Sequence, residues 1–566
     1  MNDEKKWKVL PRAEEGFIKK NPKYSREILQ LLFNRGITDE KKIDDFLNSE
    51  KLETHNPFDL GDMEEAVDLI IDHIKRQEKI FIYGDYDADG ITSSALLYDL
   101  FSIFKSEPLV YMPDRVKEGY GLNKKAIDKI VKEGGTLIIT VDTGIKNKEE
   151  VEYAQKKGLK VIITDHHVPP AKKSEYPPCL IINPAIKEEK YPFKKLAGVG
   201  VAYKLAQALI IKSTLNEKQK IALNENLLDL VAVGTVADCV DLLGENRILV
   251  KKGLEVLNKT KRIGFKELIK ISGLKGYLDS WNIGFQLAPR INASSRVAHA
   301  AKAFHLLVSK DKDEAKERAL DLNEKNSLRQ KITEKVMEEA MDQANKEKGK
   351  IIIAVSKKES PWIEGVIGLV AGRISNVFYK PVLVLTYSEG KLKGSGRSVE
   401  EFNIMEALQE SDEFLINYGG HPSACGFSLE IKNLEKFRKK ISQYSNKKLE
   451  KVKLMPKIKI DEEIDIERVN DDFLKNIERL APFGEANPKP IFLSRRVCVK
   501  DVVCMGKNKE HIKFRFNGLW GVFFRQACNC GNIKTGDLLD IVYYVDINDF
   551  NGKKSVQLKI VDIKIS

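Results

Sequence analysis

The sequence predicts an α/β protein: two α/β domains, the first built on a parallel sheet, joined by a long helix and followed by a small C-terminal β-barrel. Three observations carry this. Between Lys79 and Ile182, apolar β-branched runs alternate with amphipathic helical stretches, the pattern of a parallel sheet buried on both faces. From Asp313 to Lys348 the chain is rich in Ala, Glu, Lys and Leu, free of proline and nearly free of β-branched residues, which suits a bridging helix. After about Lys457 short alternating runs take over. A chain of 566 residues is in any case too long for one hydrophobic core.

Taken in order, residues 1–48 read as a helical N-terminal segment, with amphipathic pieces at 25–32 and 39–47 broken at Gly36. Residues 49–312 form the first α/β domain, with strands expected at 79–83, 109–112, 136–141, 160–164 and 179–182. Helices are expected at 63–77, 91–104, 124–132, 148–157 and, beyond the strands, 227–240. Residues 313–348 are the connecting helix, one or two pieces long. The second α/β domain, 349–453, opens with the run from Lys350 to Val355 and continues through a helix at 366–376, a strand at 382–386 and a loop at 394–398. Residues 454–566 form the barrel, of the OB type, with strands at 457–460, 491–503, 511–516, 519–525, 538–545 and 555–565.

Chemistry gathers where the first domain's strands end. Ligands of a parallel sheet collect at the carboxyl ends of its strands. Here those ends carry Asp85, Asp87 and Asp89, then Asp114 and Arg115, then Asp142, then Asp165, His166 and His167, and finally Asn183. A purely structural sheet more often ends in Gly, Pro, Ser or Asn turns. Three carboxylates within five residues repel one another, and divalent cations among them relieve the repulsion. Asp238 adds an acid inside the apolar stretch Gly234-Thr235-Val236-Ala237, where a buried carboxylate needs a partner or a metal.

Composition points the same way. The formal net charge of +12 and pI near 9.0 suit a polyanionic partner. Arg290 and Arg296 stand among small residues, which suits phosphate contact as well as surface ion pairs. In the barrel, Lys and Arg interleave with Phe514, Phe516, Trp520, Phe523, Phe524, Tyr543 and Tyr544, some of which must be core while others can stack bases. The polar start and the lack of a long apolar run read as a cytoplasmic protein with no membrane association. Seven scattered cysteines, with no paired CxxC spacing, read as reduced thiols.

The ordered set Gly84-Asp85-Tyr86-Asp87-Ala88-Asp89-Gly90, Val141-Asp142-Thr143-Gly144, Asp165-His166-His167 and Gly234-Thr235-Val236-Ala237-Asp238 resembles the four motifs of the DHH phosphoesterases. The resemblance is closer to the RecJ single-stranded-DNA-specific exonucleases. Arg373, Gly394-Ser395-Gly396-Arg397-Ser398 and Gly419-Gly420-His421 resemble their second domain, DHHA1, and Leu480-Ala481-Pro482-Phe483-Gly484 with Asn487-Pro488 resembles the start of their OB domain. Two positions depart from the pattern: the family has His after Trp362, where Ile363 stands, and Gly before Asn487, where Ala486 stands.

What the resemblance implies is a 5′-to-3′ exonuclease that degrades single-stranded DNA to mononucleotides by two-metal hydrolysis, in DNA repair and recombination. Its cofactor is Mn²⁺ or Mg²⁺, manganese being favoured where His joins oxygen ligands. Asp87, Asp89, Asp142, His166 and Asp238 are the implied metal ligands, with Asp142 bridging. Asp85, His167 and His421 are the implied catalytic groups, Asp85 as a further ligand or a base, and Asp165 orients the imidazoles. Arg115, Ser395 and Arg397 form the 5′-phosphate pocket, and Arg290, Arg296 and Arg373 bind the strand. The implied partners are single-stranded DNA, a single-strand-binding protein and a RecQ-type helicase, with the chain itself a monomer. Two alternatives stand beside this reading: a DHH phosphoesterase for short oligoribonucleotides or cyclic dinucleotides, and a non-catalytic DNA-binding scaffold.

Overall fold

The computed structural model describes residues 5–115, 117–550 and 553–565. The chain divides into two compact units. One comprises His55–Val240 and Lys252–Met455; the other comprises Met1–Thr54, Asp241–Lys251 and Pro456–Ser566.

The first unit opens with a five-stranded, wholly parallel sheet in the order Leu109–Tyr111, Ile80–Gly84, Leu137–Val141, Lys160–Thr164, Leu180–Ile182. Strands Ile80–Gly84 and Leu137–Val141 are buried at every residue, as their unbroken apolar sequences require. Ala126, Ile127 and Ile130 of helix Lys124–Lys132 and Val151 and Ala154 of helix Lys148–Lys156 pack with Phe81, Tyr83, Ile138 and Ile163. The first strand in sequence lies between the second and third, so the winding reverses between Ile80–Gly84 and Leu137–Val141. Such a switch point opens a crevice beyond the strand ends.

The helix expected at 227–240 is longer, Glu217–Ala237, because Asn216 and Gln219 form a capping box that starts it earlier. The connecting segment is a single helix, Lys312–Lys346, N-capped by Asp311. Its Val336, Ala340 and Ala344 pack against Trp362 and against Val366 and Val370 of helix Glu364–Phe378, which tie it to the second sheet. That sheet is mixed, in the order Leu415–His421, Ala424–Leu429, Lys391–Arg397, Val382–Ser388, Ile352–Val355. The glycine-rich stretch expected as a loop at 394–398 is a strand through Arg397. Its glycines serve close packing and not a turn: a Cβ on Gly394 would come within 2.3 Å of the Phe427 ring, and one on Gly396 within 2.5 Å of Cys425 Sγ.

The second unit centres on a seven-stranded sheet in the order Glu462–Glu463, Phe492–Cys498, Leu538–Phe550, Lys553–Ile565, Leu519–Phe523, His511–Phe516, Asp501–Met505. The run expected as one strand at 491–503 is two. The chain changes partner there, Cys498 facing Leu538 and Asp501 facing Arg515. The N-terminal segment is neither wholly helical nor separate. Lys6–Val9 pairs in parallel with Lys457–Ile460, and Ile28, Leu31 and Ile43 share a core with Phe492, Phe514 and Tyr543. The short stretch Asp241–Lys251, expected within the first domain, also belongs here. Its fully buried Arg247 donates to the carbonyls of Phe46, Leu480 and Ala481 at 3.0, 2.9 and 2.7 Å.

Candidate metal centre

Register builds the site. Gly84 pairs with Val141, Val141 with Thr164 and Thr164 with Ile182, so the next residues, Asp85, Asp142, Asp165 and Asn183, leave the sheet side by side. Asp87 caps helix Ala88–Ile103, its Oδ1 accepting from the amides of Asp89 at 2.9 Å and Gly90 at 3.2 Å. Asp89 lies in the first turn, where the amides of Gly198 and Val199 donate to its two oxygens at 2.7 and 2.8 Å from the start of another helix. Asp238 ends helix Glu217–Ala237 as its C-cap. A Cβ at Gly198 would come within 2.7 Å of the Asp142 carboxylate, so only glycine lets that helix approach.

The acids and imidazoles form three overlapping groups whose ligand atoms lie within 4.8 Å of one another: Asp142, His166 and His167; Asp89, His166 and Asp238; Asp85, Asp87 and Asp142. Burial and the neighbouring carboxylates push Asp85 and Asp142 well above the usual carboxylate range, Asp89 up to about 7 and Asp238 up to about 9. Burial and the His167 ring hold the His166 imidazole down at about 4, so it is neutral near pH 7 and able to ligate.

A divalent cation fits this donor set. Asp85 Oδ1, Asp142 Oδ1 and His166 Nε2 are buried without a hydrogen-bond partner, and the last two face each other across 3.1 Å. Buried polar atoms left unpaired are costly, and here three converge with acids that repel one another. Oxygen ligands with an imidazole suit manganese or magnesium.

Asp165 differs from its neighbours. Its Oδ1 accepts from the backbone of His166 at 2.8 Å and from His167 Nδ1 at 2.8 Å, and its Oδ2 from the Ile145 amide at 2.9 Å. With every oxygen engaged, its pKa lies below the usual range: burial is the largest influence and raises it, but the His167 hydrogen bond and the two imidazoles together outweigh that. Burial opposes protonation of His167 in turn, yet the Asp165 carboxylate holds its pKa above the ordinary value.

Next to the acidic turn lies a cavity of about 350 Å³ lined by Arg115, Arg296, Ser395 and Arg397 among others. Arg115 covers the Tyr86 ring at 4.8 Å. Arg397 donates to Ser395 Oγ at 3.3 Å and to the Gly396 carbonyl at 2.7 Å, and Arg296 donates to the Gly365 carbonyl at 2.8 Å. Burial and Arg115 push Arg296 down to about 9, and burial lowers Arg397. Crowded guanidiniums of this kind favour an anion between them. Glu364, also in the lining, is balanced by Lys393 at 3.0 Å.

The structure therefore brings together Asp85, Asp87, Asp89, Asp142, His166, His167 and Asp238, and separately Arg115, Arg296, Ser395 and Arg397. Arg290, Arg373 and His421 do not line the cavity. Arg290 donates to Asn323 at 3.0 Å, Arg373 is exposed on its helix, and His421 is exposed where strand Leu415–His421 ends. Two groups escaped the sequence reading. Asn292 accepts from the Ala88 amide at 2.8 Å, steadying the acidic turn, and the Tyr120 hydroxyl lies 3.1 Å from His167 Nδ1 and 3.3 Å from the Asp142 carbonyl. Neither lies in a recognisable pattern, since each contact crosses the fold.

Three family models match segments of the chain. The DHH family N-terminal domain matches residues 79–235, the DHHA1 domain 348–447 and the RecJ OB domain 460–562. Fold and site thus define a DHH phosphoesterase, an α/β enzyme class with its acids at the sheet's switch point. The chain is 38% identical over 546 residues to the single-stranded-DNA-specific exonuclease RecJ of Bacillus subtilis, covering 95% of this chain and 68% of that one. It is 31% identical to the RecJ of Salmonella typhimurium, covering 89% and 90%. The crystal structure of RecJ in complex with Mn²⁺ from Thermus thermophilus superposes with a TM-score of 0.85 at 27% identity, covering all of this chain and 80% of that one. The chain belongs to the RecJ family.

Proposed function

We propose that this protein is a 5′-to-3′ exonuclease that hydrolyses single-stranded DNA to mononucleotides with Mn²⁺ or Mg²⁺. The observation that carries the reading is the convergence of Asp85 Oδ1, Asp142 Oδ1 and His166 Nε2, all buried and unpaired, beside an arginine-lined cavity of about 350 Å³. Asp87, Asp89, Asp142, His166 and Asp238 would hold the cations, with Asp142 shared. When bound, divalent cations supply Lewis acidity at the phosphoryl group and acidify the attacking water.

The chain's own residues do the rest. His167, its Nδ1 engaged by Asp165, offers its remaining nitrogen to the scissile phosphate. Asp85, whose pKa is raised, stands ready to take a proton or to complete the ligand set. Arg115, Ser395 and Arg397 bind the terminal 5′ phosphate, and Arg296 joins them at the cavity wall. Arg290 and Arg373 hold the following strand, and His421 reaches a phosphate near the acids. In the barrel, Phe514, Phe516, Phe523 and Tyr543 are core, which leaves Trp520, with Lys513 over its ring at 4.3 Å, the exposed Phe524 and Tyr544 for bases.

The reading extends to a cytoplasmic monomer acting in repair and recombination beside a single-strand-binding protein and a RecQ-type helicase. No helix among the described residues is long and apolar enough to cross a membrane. The intact acid set favours catalysis over a scaffold, and the basic barrel favours long strands over dinucleotides. Replacing Asp142 by Ala tests the site: Mn²⁺-dependent release of nucleotides is expected to fall at least about a thousand-fold while single-strand binding persists. Retained hydrolysis would sink the assignment.

A further inference from the structure

We infer that Trp281 and Phe285, with Tyr277, form a base-stacking site for the part of the single strand still to be degraded; this rests on the exonuclease reading above. The two rings stack on each other at 5.3 Å with 22° between their planes, yet remain 54% and 67% exposed, and Tyr277 is 69% exposed. Single apolar side chains in water are ordinary. Three large aromatics within nine residues, two of them held parallel, form a surface suited to flat apolar ligands.

The backbone beneath them is unusual for a physical reason. Pro289 has no amide to donate to the Phe285 carbonyl, so the turn Ile283–Leu287 is a π-helix, with the Ala288 amide bonding back to Ile283. Gly284 places this turn beside the acid-bearing helix: a Cβ there would make ordinary contact, at 3.8 Å, with Val236, two residues before Asp238. Further along the same run, Asn292 holds the Ala88 amide at 2.8 Å and Arg296 lines the cavity. One continuous stretch therefore leads from the exposed rings to the acids. Between them Arg290 bonds Asn323 of the connecting helix, and the Arg329 guanidinium on that helix has a buried Nε without a partner. Aromatics followed by guanidiniums are what a single strand requires, bases on the rings and phosphates on the cations. From Phe285 and Trp281 to Asn292 is roughly 10–17 Å at about 1.5 Å per residue. At the rise of a stacked strand, about 3.4 Å per nucleotide, the rings meet bases about three to five nucleotides from the cut.

The test is a length series of 5′-phosphorylated single strands, from about 3 to about 20 nucleotides, digested in Mn²⁺ by the unsubstituted protein, Trp281→Ala, Phe285→Ala and the conservative Phe285→Trp. For the unsubstituted protein kcat/KM should rise with length past about five nucleotides; both alanine variants should lose that rise, about ten-fold on the longest strand, keep full activity on the shortest, and Phe285→Trp should restore it. Profiles parallel to the unsubstituted one at every length, whether equal or uniformly lowered, would overturn the inference. Absence of any strand hydrolysis by the unsubstituted protein would instead overturn the exonuclease reading on which it stands.

Discussion

Asp142 concentrates the conflict in this molecule. It is buried, sits at a left-handed φ of 62°, and belongs to two of the three ligand groups. Without a cation its charge is opposed by Asp89, Asp87, Asp238 and Asp85, so the site stores repulsion that a metal releases. Replacing Asp142 by Asn should therefore raise the melting temperature of the metal-free protein by about 2–4 °C while abolishing both hydrolysis and the stabilisation by Mn²⁺. Differential scanning calorimetry with and without Mn²⁺ checks this; an unchanged Mn²⁺ shift would contradict it. Asp165 is different in kind, because its oxygens are spent on His167 and on backbone amides. Asp165→Asn should cost about 10–100-fold in kcat and leave Mn²⁺ affinity nearly intact, a split that steady-state rates and metal titration resolve. The meeting of the acids and imidazoles was legible because parallel strands in register end together, so acids after successive strands must meet. Tyr120 and Asn292 were not, since the contacts that give them a role join segments far apart in sequence.

At the scale of elements, the first sheet could be read almost residue by residue, because buried parallel strands are unbroken apolar runs and local composition suffices. Three misreadings share one cause, a pairing that local pattern does not encode. The strand Lys6–Val9 is only four residues long and pairs with a segment far along the chain, Lys457–Ile460. The glycine-rich strand Lys391–Arg397 looks like a loop until Phe427 and Cys425 are seen against it, and 491–503 splits because it serves two partners. The edge pairing Glu462–Glu463 with Phe492 and Leu493 supplies a pH test. Burial pushes Glu462 up to about 7, and its Oε2 is buried without a partner. The folded state thus keeps a proton that the unfolded chain has lost, so stability falls as pH rises from about 4.5 to about 7 and the penalty is complete above that. Glu462→Gln should remove it, stabilising by up to about 3 kcal/mol at pH 8 and leaving stability unchanged at pH 4. Urea denaturation at the two pH values decides; equal effects at both would contradict the assignment.

For the whole molecule, the sequence divided the chain in linear order, whereas folding joins its beginning, its end and the short stretch Asp241–Lys251 into one unit. That grouping depends on Arg247 and on a core shared by Ile28 and Phe514, neither of which announces its partner locally. We read the acids, the arginine cavity and the net charge of +12 together as the proposed activity, removal of nucleotides from the phosphate-bearing end of a single strand. The most direct measurement of that claim is digestion of one single strand labelled at its 5′ end in one sample and its 3′ end in another, in Mn²⁺, beside the same strand annealed as a blunt duplex. The 5′ label should appear at once as a mononucleotide, the 3′ label should pass through a ladder of shortening strands, and the duplex should stay intact. Early release of the 3′ label, internal cuts, or loss of the duplex at the same rate would contradict it.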